Sequence, residues 1–107
     1  MSGTNTVYLS LGSNLGKRLE HLQQALFLSG KKVGTVEAIS KIYQCPAVGF
    51  EGDDFLNVCV AMHTTLSSSE VLSQVLDIEK QMGRNRNLKD SSYQSRNIDI
   101  DILFFNT

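Results

Sequence analysis

Residues 55–83 read FLNVCVAMHTTLSSSEVLSQVLDIEKQMG, and this stretch decides the fold because its apolar period changes partway along. Over residues 55–65, apolar side chains occupy every second position, which predicts a β-strand with one buried face. Ser67 and Glu70 have the spacing of a capping box, so a helix is predicted to begin at Ser67. Gly83 predicts its end. A strand followed directly by a helix indicates a domain that mixes both kinds of structure.

The spacing of apolar residues typical of strands (every second residue) and of helices (every third or fourth residue) predicts four further elements. Residues 6–11 and 33–43 are rich in apolar and β-branched residues, which predicts two strands, and a helix is predicted between them from Leu15 to Gly30. A last strand carries alternating apolar and polar residues. The predicted apolar faces are Leu15, Leu19, Leu22 and Leu26 in the first helix, Val71, Leu72, Val75, Leu76 and Met82 in the second, and Ile98, Ile100, Ile102 and Phe104 in the last strand.

The predicted order of elements is therefore β-α-β-β-α-β. This order is typical of an α+β, ferredoxin-like core, in which an antiparallel sheet carries two helices on one face. A chain of 107 residues corresponds to one domain, residues 1–107. The fold does not predict a function, because it hosts many.

Composition and charge argue against several classes of function. The formal net charge of -1 argues against a protein that coats nucleic acid. No apolar stretch approaches membrane-spanning length, so no membrane partner is expected. Cys45 and Cys59 have no CxxC spacing or neighbouring histidine and are expected to be reduced thiols that are buried as small apolar side chains. Together with the lack of a secretory pattern at residue 1, they predict a cytoplasmic protein.

Asp99 and Asp101 give the strongest chemical signal in the sequence. Residues two apart on a strand share a face, with about 6.5–7 Å between their Cα atoms, so both carboxylates can bind one divalent cation or a pair of cations. Such a cation would also relieve the repulsion between two neighbouring like charges. The alternative is that both aspartates simply face water, and the D-x-D pattern alone does not decide between the two.

Three arginines, Arg84, Arg86 and Arg96, precede the aspartates closely. Guanidinium groups bind phosphate oxygens through a fixed fork of donors. Arginines beside a divalent-cation site are typical of phosphoryl transfer, where catalysis is mostly positioning and charge neutralisation. Taken singly, an arginine of this kind is usually a surface residue with no such role.

Phe55 and Asn57 share the strand face opposite the apolar core. An aromatic ring and a carboxamide that project together suit a flat heteroaromatic ligand, which would stack on the ring and hydrogen-bond to the amide. Packing at the edge of the sheet explains the same pair equally well.

Four blocks, in order along the chain, resemble the 6-hydroxymethyl-7,8-dihydropterin pyrophosphokinases of folate biosynthesis. They are residues 9–16 (LSLGSNLG), 43–49 (YQCPAVG), 54–58 (DFLNV) and 96–104 (RNIDIDILF). Residues 78–86 fit the same pattern. The resemblance therefore runs over nearly the whole chain.

The resemblance implies transfer of a pyrophosphoryl group from ATP to the hydroxymethyl oxygen of the pterin, with release of AMP. It implies that Asp99 and Asp101 hold two Mg²⁺ ions against the ATP phosphates, and that Arg84 and Arg96 neutralise charge around the transferring group. The ATP-binding residues it implies are Leu72, Glu79, Arg86, Tyr93 and Ile102. The pterin-binding residues it implies are Pro46, Ala47, Val48, Phe55 and Asn57.

The chain departs from the family pattern in several places, and Cys45 and Ala47 are two of them. In the loop over residues 87–95, Ser92 and Tyr93 stand where an Arg-Trp pair is usual. Family members also continue past the last predicted strand, which leads us to expect a C-terminally truncated core with weak activity, or none, of its own. A monomer that binds small molecules is expected.

Two other functions compete with this interpretation. A non-catalytic ferredoxin-like module that binds a ligand or a partner would leave the aspartates and arginines unexplained, and it would have no reason to require Mg²⁺ for ATP binding. An RNA-binding module on the same fold predicts exposed aromatics on two central strands and a basic charge. Only Tyr8 and Phe55 are candidates for such aromatics, and the net charge is slightly negative.

Overall fold

The computed structural model describes residues 4–14, 17–45, 54–83 and 98–106, which form five strands and two helices. In chain order these elements are β1 (Asn5–Ser13), α1 (Arg18–Lys32), β2 (Thr35–Ile39), β3 (Tyr43–Cys45), β4 (Phe55–Thr64), α2 (Ser68–Gln81) and β5 (Asp99–Phe105).

The strands form one antiparallel sheet in the order β2-β4-β1-β5, and β3 pairs with the first residues of β4. The first strand in the chain, β1, therefore lies between β4 and the last strand, β5. This arrangement confirms the predicted α+β fold and its ferredoxin-like order of elements.

Both helices pack on the same face of the sheet. α1 contacts β1 and β4, α2 contacts β5, and the two helices contact each other. The core between sheet and helices is apolar; its members include Val7, Leu9, Leu11, Val58, Val60, Met62, Val71, Val75, Ile78, Ile98 and Ile100. No helix in the described ranges covers the opposite face, which we call the open face. None of the described helices has the length and apolar character needed to cross a membrane.

The strand predicted over residues 33–43 is in fact two strands. Val33 caps the end of α1, β2 follows, and β3 begins only after a break at Ser40. The Ser40 hydroxyl accepts a hydrogen bond from Cys59 N at 2.9 Å, while Ser40 N donates to Cys59 O at 2.8 Å. A side-chain oxygen thus replaces a backbone carbonyl in the ladder, and pairing resumes in β3 with one extra residue on this side.

The face predicted for α1 is partly wrong. Leu22 is buried as predicted, but Leu19 is 47% exposed, and Ala25 is buried in its place. The helix also runs two residues beyond Gly30, which was predicted to end it. Leu15 lies outside the described residues. The buried stripe of α1 that faces the sheet is therefore narrower than the spacing of the leucines predicts.

The face predicted for α2 needs a similar correction. Leu72 and Leu76 are 49% and 39% exposed. The buried row of this helix comprises Val71, Val75, Ile78 and Glu79. A helix resting on a sheet buries only one stripe of its surface, and the two leucines lie beside that stripe rather than on it.

The last strand changes face at Leu103. Its register with β1 shifts between Tyr8 and Leu9, so that one extra residue of β5 is accommodated as a bulge. Phe104, predicted on the apolar face, is instead 56% exposed, and its ring meets that of Tyr8 edge-on with 6.2 Å between centroids. Phe105 packs against the core in its place. The bulge thus moves an aromatic ring from the core to the open face.

The capping box at the start of α2 is confirmed. Ser67 N donates to Glu70 Oε1 at 2.8 Å, and Glu70 N donates to Ser67 Oγ at 3.2 Å. These bonds use two of the donors that a helix leaves unpaired at its start.

We expect this cap to weaken in acid. The hydrogen bonds from the backbone and side chain of Ser67 lower the pKa of Glu70 below its ordinary value of 4.5. Because the folded pKa is the lower one, the stabilisation is fully present above pH 4.5 and is lost as the pH falls through the folded pKa. Thermal melts of the wild type and of Glu70→Gln over a pH series check this. The difference in Tm should shrink toward acid pH, and a difference that stays constant would contradict the expectation.

Candidate active site

The open face carries a row of residues from four neighbouring strands. Gly12 of β1 lies opposite Asp99 of β5 on one side and Asn57 of β4 on the other, and Asn57 lies opposite Tyr43 of β3. We call these four residues the Gly12 row. Neighbouring strands are about 4.8 Å apart, so the backbones of Asp99 and Asn57 are separated by roughly 10 Å across the glycine.

Asp99 and Asp101 both belong to the open face, as their spacing predicts. Asp99 is opposite Gly12 and half-buried, while Asp101 is opposite Ser10 and exposed. Ile100, between them, is directed into the core and only 6% exposed. The strand therefore presents two carboxylates side by side and is anchored by the residue that separates them.

The aspartate pair suits a metal ion that is bound partly by substrate better than one enclosed entirely by protein side chains. Among the residues that the structure describes, no group of three or more His, Cys, Asp and Glu side chains is gathered as a complete cage for a metal. Mg²⁺ does not need such a cage, because it commonly binds one or two carboxylates and completes its shell with water and substrate phosphates. Two carboxylates on an open face therefore suit Mg²⁺ that arrives with a nucleotide.

At position 12, the absence of a side chain leaves room for the Asn57 and Phe55 side chains that lie over it. A Cβ atom there would be 2.6 Å from Asn57 Oδ1 and 3.4 Å from Phe55 Cδ1. The carboxamide and the ring thus occupy the space above β1 that a side chain would take. The expectation that Phe55 and Asn57 project together is confirmed, and their part in ligand binding stays a prediction.

Tyr43 extends the row on the side away from the aspartates. Its hydroxyl lies 3.6 Å from Cys59 Sγ, within hydrogen-bonding distance for sulfur. This hydrogen bond, followed by burial and the nearby thiols of Cys59 and Cys45, raises the pKa of Tyr43 above 10.0. The phenol is therefore protonated at neutral pH and can donate a hydrogen bond. Both cysteines are free thiols, as predicted, but each is half-buried and not fully buried as expected, because both lie on the face of the sheet that is directed away from the core.

Glu79 was predicted to bind the nucleotide, but its side chain is buried. It is 1% exposed, and its Oε2 accepts a hydrogen bond from Ile100 N at 2.8 Å. Leu72, by contrast, presents an exposed side chain on α2, and Ile102 is half-buried against the core. The nucleotide-binding roles of these three residues stay predictions.

The remaining predicted site residues lie outside the described ranges. They are Pro46, Ala47, Val48, Arg84, Arg86, Tyr93 and Arg96. The described residues that border residues 46–53 are Cys45 and Asp54, and those that border residues 84–97 are Gly83 and Ile98. Cys45 is opposite Phe55, which neighbours the Gly12 row in the sheet.

Ser10 and Gly12 lie in the candidate site although their residue types predict no role there. Alternation along β1 directs Leu9 and Leu11 into the core and leaves Ser10 and Gly12 on the other face. That signal was present in the sequence. The pairing of β1 with both β4 and β5 was needed to show that these two residues lie between the aspartates and Asn57.

Comparison with known proteins identifies close relatives by sequence. A family model described as 7,8-dihydro-6-hydroxymethylpterin-pyrophosphokinase (HPPK) matches residues 8–107. A 2-amino-4-hydroxy-6-hydroxymethyldihydropteridine pyrophosphokinase of Porphyromonas gingivalis is 41% identical over 98 residues, which cover 91% of this chain and 67% of that protein. A protein of the same name from Bacillus subtilis is 38% identical over 104 residues, covering 95% of this chain and 60% of the relative. The chain thus spans about two thirds of these relatives.

Solved structures agree on the fold. A crystal structure described as HPPK-DHPS in complex with substrates has a TM-score of 0.75 and 20% sequence identity, and the match covers 95% of this chain and 28% of that one. At this identity the likeness concerns the fold alone.

Proposed function

This chain belongs to the 7,8-dihydro-6-hydroxymethylpterin-pyrophosphokinase family, and from that membership we propose that it transfers a pyrophosphoryl group from ATP to the hydroxymethyl group of 6-hydroxymethyl-7,8-dihydropterin, releasing AMP, in folate biosynthesis. The observation that carries the proposal is the Gly12 row. It brings a carboxylate suited to a nucleotide-bound cation and a carboxamide suited to a pterin onto one face of the sheet. A transfer between two substrates requires them to be held side by side in this way.

On the ATP side, Asp99 and Asp101 would bind two Mg²⁺ ions together with the phosphates. When bound, the ions neutralise phosphate charge and hold the phosphates in line with the acceptor. The two carboxylates set the position of the phosphates relative to the sheet, because both project from one short strand. Arg84 and Arg96 would balance the charge that develops on the transferring group.

The rest of the proposed nucleotide site follows the family pattern. Arg86, Glu79 and Tyr93 would lie on the nucleotide side, and Leu72 and Ile102 would border the adenine. The exposed leucine on α2 supports this assignment, since an apolar side chain of that size is available to cover a flat base.

On the pterin side, Phe55 would stack on the ring and Asn57 would hydrogen-bond its polar edge, with Pro46, Ala47 and Val48 in contact through their backbone. Asn57 Oδ1 and the Phe55 ring both lie beside Gly12, and this supports a ligand that contacts the carboxamide and the ring together. The hydroxymethyl oxygen would then point along the Gly12 row toward Asp99. The substrate supplies the nucleophile, so the protein needs none, and a carboxylate beside it is suited to accept its proton.

Several further properties belong to the same proposal. We infer a single core domain over residues 1–107, a monomer, and a cytoplasmic location, the last from the two free thiols. A non-catalytic module is not favoured, because the matching family and its relatives are named for the pyrophosphokinase reaction.

The proposal is tested by measuring AMP released from ATP and Mg²⁺ with and without 6-hydroxymethyl-7,8-dihydropterin. We expect AMP release that depends on both the pterin and Mg²⁺. ATP binding to the same sample, with Mg²⁺ and with EDTA, should be measured in parallel. Binding of ATP that is equally tight without Mg²⁺, combined with no AMP release, would argue for a non-catalytic module.

A further inference from the structure

We propose that Glu79 is a positioning residue, which sets the spacing and direction of the Asp99 and Asp101 carboxylates by holding the peptide group between them. This inference rests on the proposed function of the aspartates. It gives Glu79 a role through its hydrogen bond to the protein backbone, in addition to the place on the nucleotide side proposed above.

The contact that carries the proposal joins α2 to β5. Glu79 lies near the end of α2, and its Oε2 accepts a hydrogen bond from Ile100 N at 2.8 Å. Ile100 is the one residue between the two aspartates. The carboxylate therefore holds the backbone at the midpoint of the proposed metal-binding segment.

The position of β5 in the sheet explains why such a contact matters. In the described sheet β5 is an edge strand, paired with β1 alone. Backbone groups of an antiparallel edge strand point alternately toward the neighbour and away from it. Since Ile100 N points to Glu79, the backbone groups of Asp99 and Asp101 point toward β1, opposite Gly12 and Ser10. Three successive residues are thus held from both sides, by β1 and by Glu79.

The cost of placing a carboxylate here argues against a role in packing alone. Glu79 is 1% exposed and occupies the same buried stripe as Val71, Val75 and Ile78. Burial of a carboxylate is unfavourable unless hydrogen bonds compensate, and a negative charge near the C-terminal end of a helix is disfavoured by the helix dipole. An apolar residue would pack in this stripe at lower cost, but it would leave Ile100 N without this acceptor.

A fixed backbone between the aspartates bears directly on metal binding. Mg²⁺ requires near-octahedral geometry with oxygen ligands at about 2.0–2.1 Å and tolerates distortion poorly. Partners that orient metal ligands without touching the metal typically contribute about 10- to 100-fold to metal affinity. Release of Ile100 would let the edge strand shift and would move both carboxylates together.

The test uses two variants and one control. Glu79→Met keeps the length of the side chain but removes the acceptor, and Glu79→Gln keeps an uncharged acceptor of the same shape. Glu70→Gln is the matched control, because Glu70 lies on the same helix and also accepts a backbone hydrogen bond, from Ser67 N, but it lies in the first turn of α2, at the opposite end from Glu79. Circular dichroism establishes that each variant is folded.

Two measurements separate positioning from simple structural support. The first is hydrogen exchange and the chemical shift of the Ile100 amide, without any ligand. The second is calorimetric affinity for a non-hydrolysable ATP analogue with Mg²⁺, compared with affinity for the pterin alone. We expect Glu79→Met to speed exchange at Ile100 and to weaken Mg²⁺-dependent nucleotide binding by about 10- to 100-fold, with pterin affinity unchanged. Glu79→Gln should fall between Glu79→Met and the wild type, and Glu70→Gln should match the wild type in both measurements.

Each contrary result has a distinct meaning. Unchanged exchange at Ile100 in a folded Glu79→Met protein would overturn the proposed contact. Faster exchange with unchanged Mg²⁺-dependent affinity would leave Glu79 a structural residue only and would overturn the positioning role. If Glu79→Met does not fold, Glu79→Gln decides between these results. Failure of the wild type to bind the nucleotide with Mg²⁺ would instead overturn the proposed function itself, and the positioning role with it.

Discussion

Replacing Asp99 and Asp101 together with alanine is expected to abolish pterin-dependent AMP release, with a loss of more than about a thousandfold. The two carboxylates are the only acidic side chains that β5 presents on the described open face, and Mg²⁺ binding to the protein would depend on them. Without the ions, the phosphates would lose both charge neutralisation and alignment. The measurement is steady-state AMP production, accompanied by calorimetry of ATP binding with Mg²⁺ and with EDTA.

The fold should survive this double substitution. Asp101 is exposed and Asp99 half-buried, so neither substitution opens a cavity in the apolar core, and the variant should stay folded in the absence of Mg²⁺. Asp77→Ala is the matched control, because Asp77 is an exposed aspartate on α2 whose described partner is Lys32, at 3.0 Å. Retention of Mg²⁺-dependent ATP binding by the double variant would show that the cation is held elsewhere.

The second large effect is expected from Gly12→Ala, and it should fall on pterin binding more than on stability. The new Cβ would lie 2.6 Å from Asn57 Oδ1, which is the end of a side chain and can rotate away. Rotation removes the strain at small cost but turns the carboxamide away from its ligand. The loss of such hydrogen bonds to a buried ligand typically costs about 1.4–3 kcal/mol, so pterin affinity should fall roughly ten- to hundredfold. Pterin fluorescence titration measures this affinity directly.

A double substitution tests the mechanism of that loss. If Gly12→Ala acts by displacing Asn57, then adding it to Asn57→Ala should weaken pterin binding little further, since the two changes remove the same interaction. Gly30→Ala is the control, because Gly30 is an exposed glycine in α1 with nothing within 4 Å of a Cβ. That variant should bind pterin normally. Additive losses from Gly12→Ala and Asn57→Ala would mean that position 12 acts independently of the carboxamide.

Local periodicity predicted the parts of this structure that depend on one element at a time. The alternation along β4, the capping box at Ser67 and the shared face of Asp99 and Asp101 all follow from short-range geometry. The order of elements then limited the topology to one familiar arrangement. The fold class and the candidate metal ligands could therefore be predicted from the sequence alone.

Features that depend on contacts between elements could not be predicted in this way. The bulge at Leu103 arises from the pairing of β5 with β1, and the break at Ser40 arises because a hydroxyl competes for Cys59 N. The burial of Glu79 depends on where α2 crosses β5, while its charge predicts exposure. In each case a tertiary partner overrides the local preference of the residue.

The central place of β1 has a consequence for the order in which the protein folds. β1 pairs with β4 and with β5, and Thr6 N donates to Asn106 Oδ1 although the two residues are 100 positions apart in sequence. Closing a loop of that length carries a large entropic cost before any pairing compensates it, and chains dominated by such distant contacts fold slowly. The β1–β4 pair closes a shorter loop and is expected to form first, with β5 docking afterwards. The aspartate pair would then be assembled in the last step of folding, so the capacity to bind Mg²⁺ with nucleotide would mark a chain that has folded completely.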